Sequence, residues 1–297
     1  MPATITKGNF QSDLEPIAKA SFILGLGREL KERIEMYFSK NSSDKNQETY
    51  FEIGDIGPVP EFTGELDYEG LRQGYESVIV NKMFAKGMKI DYYYARVSQG
   101  IAKKLPKMLG LAMRRRINAN STSWFNNMFS SYLSRDGLSL VNAAHTSNVG
   151  GANQSNRITT AFGAVALTSA KITHRKLLTN RDNVMEIMPS LLFGPIDLES
   201  AFTEVIKSQG QVGTANNTIN VHKGSWTAIV DIHFTDTNNW GIGDKELMKE
   251  FQVWQEVDAP DFKQMDDFDG FTAKYRCHCI NGQGSTGYEW FLGAEVD

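Results

Sequence analysis

The segment from Thr49 to Asp91 constrains the fold more than any other part of the sequence. Its first half is interrupted by Gly or Pro at positions 54, 57, 58, 60 and 64. In its second half, from Tyr75 to Lys89, β-branched and aromatic residues alternate with polar ones, which predicts a long antiparallel strand pair. Such a hairpin has little apolar surface of its own to bury, and two strands alone are marginally stable in water. The segment must therefore lie on another body.

The rest of the chain alternates helical and strand patterns. Ser12 and Glu15 have the spacing of a capping box before Pro16, which predicts that a helix begins there. With a second helical stretch that follows it, residues 1–47 are predicted to form a helical N-terminal arm. Apolar residues spaced three and four apart predict a long helix from Ser98 to Tyr132, with a kink or a second start at Pro106. A polar loop, 145–157, follows and is the clearest domain boundary in the chain.

Beyond this loop the pattern predicts a mixed second half. We expect a helix over 169–178, a strand within 183–193, a helix capped by Asp197, and a strand over 226–234. From Lys249 onward the pattern is mostly strand, interrupted by an acidic loop over 258–270 and a glycine-rich turn over 281–287. The predicted fold class is α+β.

Composition excludes several classes of protein. The 297 residues carry 31 Lys and Arg against 35 Asp and Glu, so the chain as a whole is not a basic nucleic-acid coat. The N-terminus lacks the pattern of a signal peptide, and no apolar run is long enough for a membrane span, so we expect no membrane partner. Cys277 and Cys279 would share one face of a strand without easy disulfide geometry, which favours synthesis in a reducing cytoplasm.

No motif points to catalysis, a cofactor or a metal. Gly282, Gly284 and Gly287 satisfy G-x-G-x-x-G, but only ten residues follow, too few for a dinucleotide-binding unit, so we interpret them as a turn between strands. The acidic residues of 256–269 lack the order of a calcium loop, and the histidines lack metal-ligand spacing. We therefore expect a protein that is not an enzyme.

Charge is distributed unevenly along the chain. Residues 92–135 contain no acidic residue and eight basic ones, in a protein of net charge −4. Two explanations remain open: the stretch faces nucleic-acid phosphates, or it packs on the acidic 256–269 segment of its own or a neighbouring subunit. The candidate DNA-facing residues are Lys103, Lys104, Lys107, Arg114, Arg115 and Arg116.

The order of these elements resembles that of tailed-phage major capsid proteins with the Hong Kong 97-like fold, and within them the Mu-like head subunits. Residues 51–97 resemble the family's extended E-loop hairpin, and the basic helix from Ser98 to Asn120 stands where the family has its spine helix. Asp136-Gly137, Leu140 and Ala144-His145 resemble the D-G-x-x-L…A-H signature that opens the axial domain. Pro195 and Leu198 resemble the axial P-x-x-L helix, and the series continues through Asn220, Gly224, Val230, Asp231 and Trp240.

The resemblance implies five segments. They are a helical N-terminal arm (1–47), the E-loop and peripheral domain with the spine helix (48–142), the axial domain (143–248), returning peripheral strands (249–285) and a C-terminal strand (286–297).

The resemblance also implies a function. Many copies would form hexamers and pentamers of an icosahedral shell around double-stranded DNA, assembled in the host cytoplasm and located in the virion capsid, with scaffold, portal and decoration proteins as further partners. The expected E-loop contacts between subunits are Phe62, Tyr75, Val78, Val80, Met83 and Phe84. Some members join a hairpin lysine to an asparagine of a neighbour, for which Lys82, Lys86 and Asn281 are the candidates here.

Two other functions remain open at this point. An encapsulin-like nanocompartment subunit would use the same fold to enclose an enzyme. A monomeric or dimeric nucleic-acid-binding protein would use the basic stretch 96–116.

Overall fold

A computed structural model describes residues 7–27, 29–62, 64, 66, 68–91, 93, 99–210, 219–267 and 272–296. The helices are α1 (Lys7–Leu26), α2 (Glu29–Tyr37), α3 (Gln99–Asn126), α4 (Ala164–Arg175), α5 (Glu199–Lys207) and α6 (Lys245–Phe251), with a 3-10 turn at Ile196–Leu198. The strands are β1 (Ser39–Ser42), β2 (Gln47–Ile53), β3 (Gln73–Val80), β4 (Lys82–Asp91), β5 (Arg157–Ile158), β6 (Leu191–Pro195), β7 (Thr227–Asp231), β8 (Trp240–Gly243), β9 (Gln252–Asp267), β10 (Thr272–Ser285) and β11 (Phe291–Ala294).

These strands form three sheets. A four-stranded sheet has the order β1-β9-β10-β4, a five-stranded sheet has the order β5-β11-β8-β6-β7, and β2 pairs with β3 alone. The predicted α+β class is confirmed. The predicted division into five segments remains a prediction.

The helices α1 and α3 cross closely on one face of the four-stranded sheet. A Cβ atom at Gly25 would lie 2.2 Å from the Lys107 carbonyl oxygen, and one at Gly110 would lie 2.2 Å from that of Phe22. Real Cβ atoms do not come this close to backbone, so only glycine permits the crossing at these two positions.

Trp124, at the end of α3, lies at the centre of the main core. It is fully buried, and its ring meets the rings of Tyr37, Phe193 and Trp290 at centroid distances of 5.8, 5.3 and 5.2 Å. The same core contains Trp254 of the four-stranded sheet, so the N-terminal arm, the long helix and both large sheets share it.

The arm is also held by a polar contact. The Tyr37 hydroxyl donates to Asp231 Oδ2 at 2.8 Å, and Arg33 forms an ion pair with the same carboxylate at the end of β7. Burial and the Asp231 charge raise the pKa of Tyr37, so the phenol stays a donor.

Three helix boundaries differ from the sequence predictions. The helix α1 begins at Lys7 and contains Pro16, so the capping-box spacing at Ser12 does not mark its start. The helix α3 continues through Pro106 and ends at Asn126, ahead of the predicted Tyr132. The helix predicted over 169–178 spans Ala164–Arg175 in the structure, and its buried residues begin with Ala166. Sequence signatures of caps are local, whereas helix length is set by packing.

Strand pairing differs more. The alternation over Tyr75–Lys89 correctly predicts strands, but β3 pairs with β2, and β4 pairs with β10 from Asp91↔Thr272 to Lys82↔Asn281. The predicted strand pair is therefore wrong. Alternation specifies which face of a strand is buried and leaves the partner strand undetermined.

The C-terminal third also differs. The acidic stretch predicted as a loop over 258–270 runs as strand β9 to Asp267, paired with β10. Gly282 and Gly284, predicted to lie in a turn, lie within β10. A Cβ at Gly282 would lie 2.8 Å from the Val80 carbonyl oxygen, so close approach of the β3–β4 corner explains this glycine.

Candidate assembly and nucleic-acid surfaces

The hairpin formed by β2, β3 and the loop 54–72 presents an apolar surface that its own subunit leaves uncovered. Among the strands that the structure describes, β2 and β3 pair with each other and with no third strand. The loop exposes Val59 by 95%, Phe62 by 70% and Tyr68 by 87%. The other exposed large apolar side chains of this hairpin are Phe51, Ile53, Ile56, Leu66, Leu71, Val78 and Val80. Of the predicted contact residues on this hairpin, Tyr75 is half-buried and Phe62, Val78 and Val80 are exposed.

The root of the hairpin is fixed by a buried charge network. Arg135, from the turn after α3, forms an ion pair with Glu52 of β2 at 3.0 Å between Nε and Oε1, and a second ion pair with Glu289. Burial alone would lower the pKa of Arg135, but the charges of Glu289 and Glu52 outweigh it and raise that pKa. Glu52 Oε1 also accepts from Asn180 Nδ2 at 2.6 Å. The network joins the hairpin to two other parts of the chain.

A second buried pair lies beside this network. His145 Nδ1 is 2.7 Å from Asp136 Oδ2, and its ring lies parallel to that of Tyr288 at a centroid distance of 3.7 Å. Burial would raise the pKa of Asp136, but hydrogen bonds from His145 and from the backbone N–H groups of Leu138 and Thr146 outweigh it and hold that pKa below its ordinary value. The first and last residues of the D-G-x-x-L…A-H signature are therefore in direct contact.

Further polar contacts fasten the loop ends. The Asp55 carboxylate accepts from Asn183 Nδ2 at 2.8 Å, which lowers the pKa of Asp55. Arg181 Nη1 donates to the Asp55 carbonyl at 2.8 Å, and Arg72 Nη1 donates to the Val149 carbonyl at 3.1 Å. The hairpin is thus oriented by hydrogen bonds at its root, while its apolar side chains stay exposed.

Met83 and Phe84, predicted as hairpin contacts, lie on β4 in the four-stranded sheet. Met83 is 62% exposed, whereas Phe84 packs against the main core and carries the Arg116 guanidinium 4.1 Å above its ring. Their role between subunits stays a prediction.

The cross-link candidates lie close together within one chain. Lys82 is the register partner of Asn281. Asn281 is 6% exposed, and its amide accepts from Asn120 at 3.1 Å. The Asn281 side chain is therefore buried and hydrogen-bonded within its own subunit.

The basic residues of α3 fall into two groups. Lys104, Lys107 and Arg115 are exposed, and in the described part of the chain none of them forms an ion pair. Arg114 is half-buried beside Gly27 at the end of α1, and Arg116 is exposed but stacked on Phe84. The side chain of Lys103, and Arg96 altogether, lie outside the described residues.

The described part of the chain shows which strands α3 packs on. Its sheet-side neighbours are β10 and β4: Met113 Sδ lies 3.4 Å from Cys279 Sγ of β10. The acidic residues of β9 lie one strand further along the sheet. Packing of the basic residues on the 256–269 segment, of the same or a neighbouring subunit, stays a prediction.

Sequence reasoning missed the Glu52, Arg135 and Glu289 network. These charges are more than eighty residues apart and have no motif in common, so no local signal could have connected them. The only available signal was a charged residue, Glu52, in a strand of otherwise alternating pattern.

Other kinds of site are not built by the described residues. No group of three or more His, Cys, Asp or Glu side chains among them could hold a metal ion. Cys277 and Cys279 are buried and free, and burial raises the pKa of the Cys279 thiol to about 11. In the described ranges, every helix is too short or too polar to span a bilayer.

Comparison with known structures gives a consistent result. The structure is similar to a chain of the mature capsid of bacteriophage PhiM1 at a TM-score of 0.60 and 10% identity, covering 89% of this chain and 86% of that one. It is similar to the capsid of Ralstonia phage GP4 at a TM-score of 0.57 and 8% identity, covering 88% and 90%. The chain has the Hong Kong 97-like capsid fold. A virus-like particle from Pyrococcus furiosus matches at a TM-score of 0.52 and 9% identity, covering 96% of this chain and 99% of that one.

The capsid fold assigns family terms to the elements described above. We refer to the hairpin β2–β3 as the E-loop and to α3 as the spine helix; the bounds of the axial domain stay a prediction. At the level of sequence, the chain matches no protein-family model and no curated protein.

Proposed function

We propose that this chain is a major capsid protein that assembles with copies of itself into a closed icosahedral shell. The observation that carries the proposal is the E-loop, whose root is fixed by buried ion pairs while its apolar side chains remain exposed. An apolar surface of this kind on a soluble subunit indicates an interaction site. The capsid fold favours sister copies as the partner.

The geometry suits assembly into rings. A projecting hairpin contacts a different surface on its neighbour, so the contact is heterologous and repeats around a closed ring. Each subunit then makes several modest contacts at once, and their combined strength exceeds that of any one contact. A fixed root reduces the conformational entropy lost when the hairpin docks.

The exposed cations of α3 support a second part of the proposal, that one face of the shell binds packaged double-stranded DNA. Lys104, Lys107 and Arg115 are exposed on the spine helix and form no ion pair with the residues that the structure describes. Backbone phosphates attract such side chains in a salt-dependent way without reading sequence.

Purified protein, examined by size-exclusion chromatography and negative-stain electron microscopy over a range of concentrations, tests the proposal. We expect rings or shells. A 33.2 kDa species that stays monomeric at high concentration would contradict it. Tight, salt-sensitive DNA binding by such a monomer would favour a nucleic-acid-binding protein instead.

A second candidate is a shell that encloses protein cargo, as an encapsulin-like compartment does. The virus-like particle has the same fold over nearly the whole of both chains, so the fold alone does not separate the two kinds of shell. The nucleic-acid content of shells purified from their natural source separates the two: DNA protected from nuclease supports a capsid, and co-purified protein without DNA supports a compartment.

The remaining parts of the proposal follow from the capsid role. The protein acts structurally and without catalysis, is made and assembled in the host cytoplasm, and resides in the virion capsid. Scaffold, portal and decoration proteins are its expected partners.

A further inference from the structure

His145 is a buried histidine whose two ring nitrogens both face hydrogen-bond acceptors. Nδ1 lies 2.7 Å from Asp136 Oδ2, and Nε2 lies 3.1 Å from Asn156 Oδ1. All three side chains are buried, so solvent offers the ring no other partner. A neutral imidazole has a single N–H and can donate to only one of these two oxygens.

The orientation of the Asn156 amide is fixed by its other contacts. Its Nδ2 donates to the carbonyl oxygens of Leu140 at 2.8 Å and Phe291 at 3.0 Å, and its Oδ1 accepts from the Asn142 N–H at 2.9 Å. Turning the amide over would break all three hydrogen bonds. The amide atom that faces the ring is therefore the oxygen, which only accepts.

The Asp136 carboxylate is also an acceptor at both oxygens. Oδ1 accepts from the Leu138 N–H and Oδ2 from the Thr146 N–H, each at 3.2 Å. The pKa of Asp136 lies below its ordinary value, so this group is ionised at neutral pH. Both acceptors are satisfied only when His145 carries a proton on each nitrogen, as an imidazolium. We refer to His145, Asp136 and Asn156 as the histidine clamp.

The surroundings of the clamp suit a positively charged ring. The Tyr288 ring lies parallel to the imidazole at a centroid distance of 3.7 Å, and the Arg135 guanidinium lies 5.4 Å from the centroid of the same ring. Burial and the Glu289 charge raise the pKa of Tyr288, so its ring stays neutral and attracts both cations. The carboxylates that balance the two positive charges are Asp136, Glu52 and Glu289.

The neighbours of the clamp in sequence hold both strands of the E-loop. Arg135, which precedes the clamp aspartate, pairs with Glu52 of β2. Thr146, which follows the clamp histidine, is hydrogen-bonded through Oγ1 to the hydroxyl of Tyr75 of β3 at 2.9 Å. The clamp therefore joins the two segments to which β2 and β3 are fastened.

We propose that the histidine clamp is a pH switch for the orientation of the E-loop. A neutral ring would direct a lone pair at either the clamp carboxylate or the clamp amide oxygen, and the two atoms would repel each other. The stabilisation is therefore present while the ring is charged and is lost when rising pH removes one ring proton. Loosening of the E-loop would then stop assembly, a consequence that rests on the proposed function.

The protonation state of the ring is the first quantity to measure. Nitrogen-15 NMR of histidine-labelled protein, in solution or, where it assembles, in the solid state, distinguishes a doubly protonated ring from a neutral one. Contacts with the stacked Tyr288 ring assign the His145 signal. In a titration from about pH 5 to about pH 9 we expect both nitrogens to carry hydrogen at the acidic end. A ring with a single proton at every pH at which the chain is folded would overturn the proposal.

The second quantity is the protection of the E-loop root from hydrogen exchange. Protection factors of the β2 and β3 amides, which correct for the intrinsic pH dependence of exchange, are followed over the same titration. We expect them to fall by roughly tenfold, the effect of losing one charge-assisted hydrogen bond, at the pH at which His145 releases its proton. Protection that stays constant while the ring titrates means that the clamp does not hold the E-loop, and the proposal fails.

Two variants separate the clamp from general effects of pH. Tyr75→Phe removes only the hydroxyl that is bonded to Thr146, so we expect the ring to titrate as before while the response of β3 is reduced. An unreduced response of β3 would contradict the coupling. His145→Gln should abolish the response of both strands. If His145→Gln does not fold, the wild-type titration and the Tyr75→Phe comparison still decide the question.

His278→Gln is the matched control. It replaces a half-buried histidine of β10, and we expect it to keep the wild-type response of the E-loop. Loss of that response in His278→Gln would mean that the pH dependence does not come from the clamp.

Shell formation provides the functional readout, measured by size-exclusion chromatography at each pH. We expect the yield of shells to decrease at the same pH as the protection factors. If the protein forms no shells at any pH, the proposed function fails, whereas the ring titration and the protection factors still test the clamp. A shell yield that stays constant while the protection factors fall would overturn the switch as a control of assembly.

Discussion

Arg135 is the residue on which the orientation of the E-loop depends most. It is nearly buried and pairs with two carboxylates, one on the loop and one near the C-terminus. We expect Arg135→Leu to lower the free energy of unfolding by roughly 3–5 kcal/mol, because it leaves Glu289 buried without a counter-charge. Urea unfolding followed by circular dichroism measures the change.

Lys45 supplies the matched control. Its ion pair with Glu48, at 3.2 Å, lies at the surface, where ion pairs contribute little. Lys45→Met should leave the urea midpoint unchanged. Equal decreases in the free energy of unfolding of the two variants would mean that the Arg135 network contributes no more than a surface ion pair.

Asp136 makes the free energy of unfolding depend on pH in the acidic range. Its pKa lies below the ordinary 3.8 in the folded protein, so the unfolded chain binds the proton more tightly. The stabilisation is fully present above pH 3.8 and is lost as pH falls through the lower folded pKa. Asp136→Asn should therefore flatten the fall in unfolding free energy below that pH, measured by urea unfolding at several pH values. An unchanged slope would exclude Asp136 as a source of acid sensitivity.

At this scale the sequence singles out some residues and misses others. Asp136 and His145 are nine positions apart and belong to a recognisable signature, which marks both residues but does not predict their contact. The contact of Arg135 with Glu52 depends on how the hairpin docks, which is a tertiary event without a local signal.

Among the elements, the crossing of α1 and α3 has the strictest requirement. We expect Gly25→Ala to lower the unfolding free energy by about 1–3 kcal/mol, because the new methyl group would meet the Lys107 backbone, which cannot move aside freely. Thermal unfolding measures this. Gly70→Ala is the control, since a Cβ there meets nothing within 4 Å, and its melting temperature should equal the wild-type value. A wild-type melting temperature for Gly25→Ala would show that the helices can separate without cost.

A deletion that tests the role of the E-loop must leave the neighbouring strands intact. Removing 52–90 would also remove β4, which pairs with β10 along its whole length. Replacing 58–68 with a short Gly-Ser linker spares β4 and the root contacts. We expect this variant to keep its melting temperature and to form no shells by electron microscopy. Shells of normal size from it would refute the assembly role of the loop.

The elements also show why strand partners could not be predicted. Tyr75–Lys89 has the alternation of a hairpin, and both of its strands exist. The corner at Asn81 sends them into different sheets, because Asn81 binds back to the 43–46 turn through its amide and its N–H. A strand shows the same alternation of apolar and polar residues whether its partner strand is near or far in sequence.

Over the whole molecule, the two opposite faces of the four-stranded sheet region carry separate basic surfaces. The spine helix presents Lys104, Lys107 and Arg115 on one side. The open face of the sheet presents the exposed side chains of Lys89, Lys263 and Arg276 on the other. The two surfaces point in opposite directions, so at most one of them can face the interior of the proposed shell. The net charge of −4 conceals this separation.

The whole-molecule prediction is that DNA retention and shell formation can be separated. Replacing Lys104, Lys107 and Arg115 with Gln should leave shell yield unchanged and reduce the nuclease-protected DNA per shell, because only phosphate contacts are lost. Arg116→Gln should instead lower the stability of the subunit, because the Arg116 guanidinium stacks on Phe84. If the triple variant loses shells before it loses DNA, the three cations form contacts between subunits, and the acidic 256–269 segment of a neighbour becomes their expected partner.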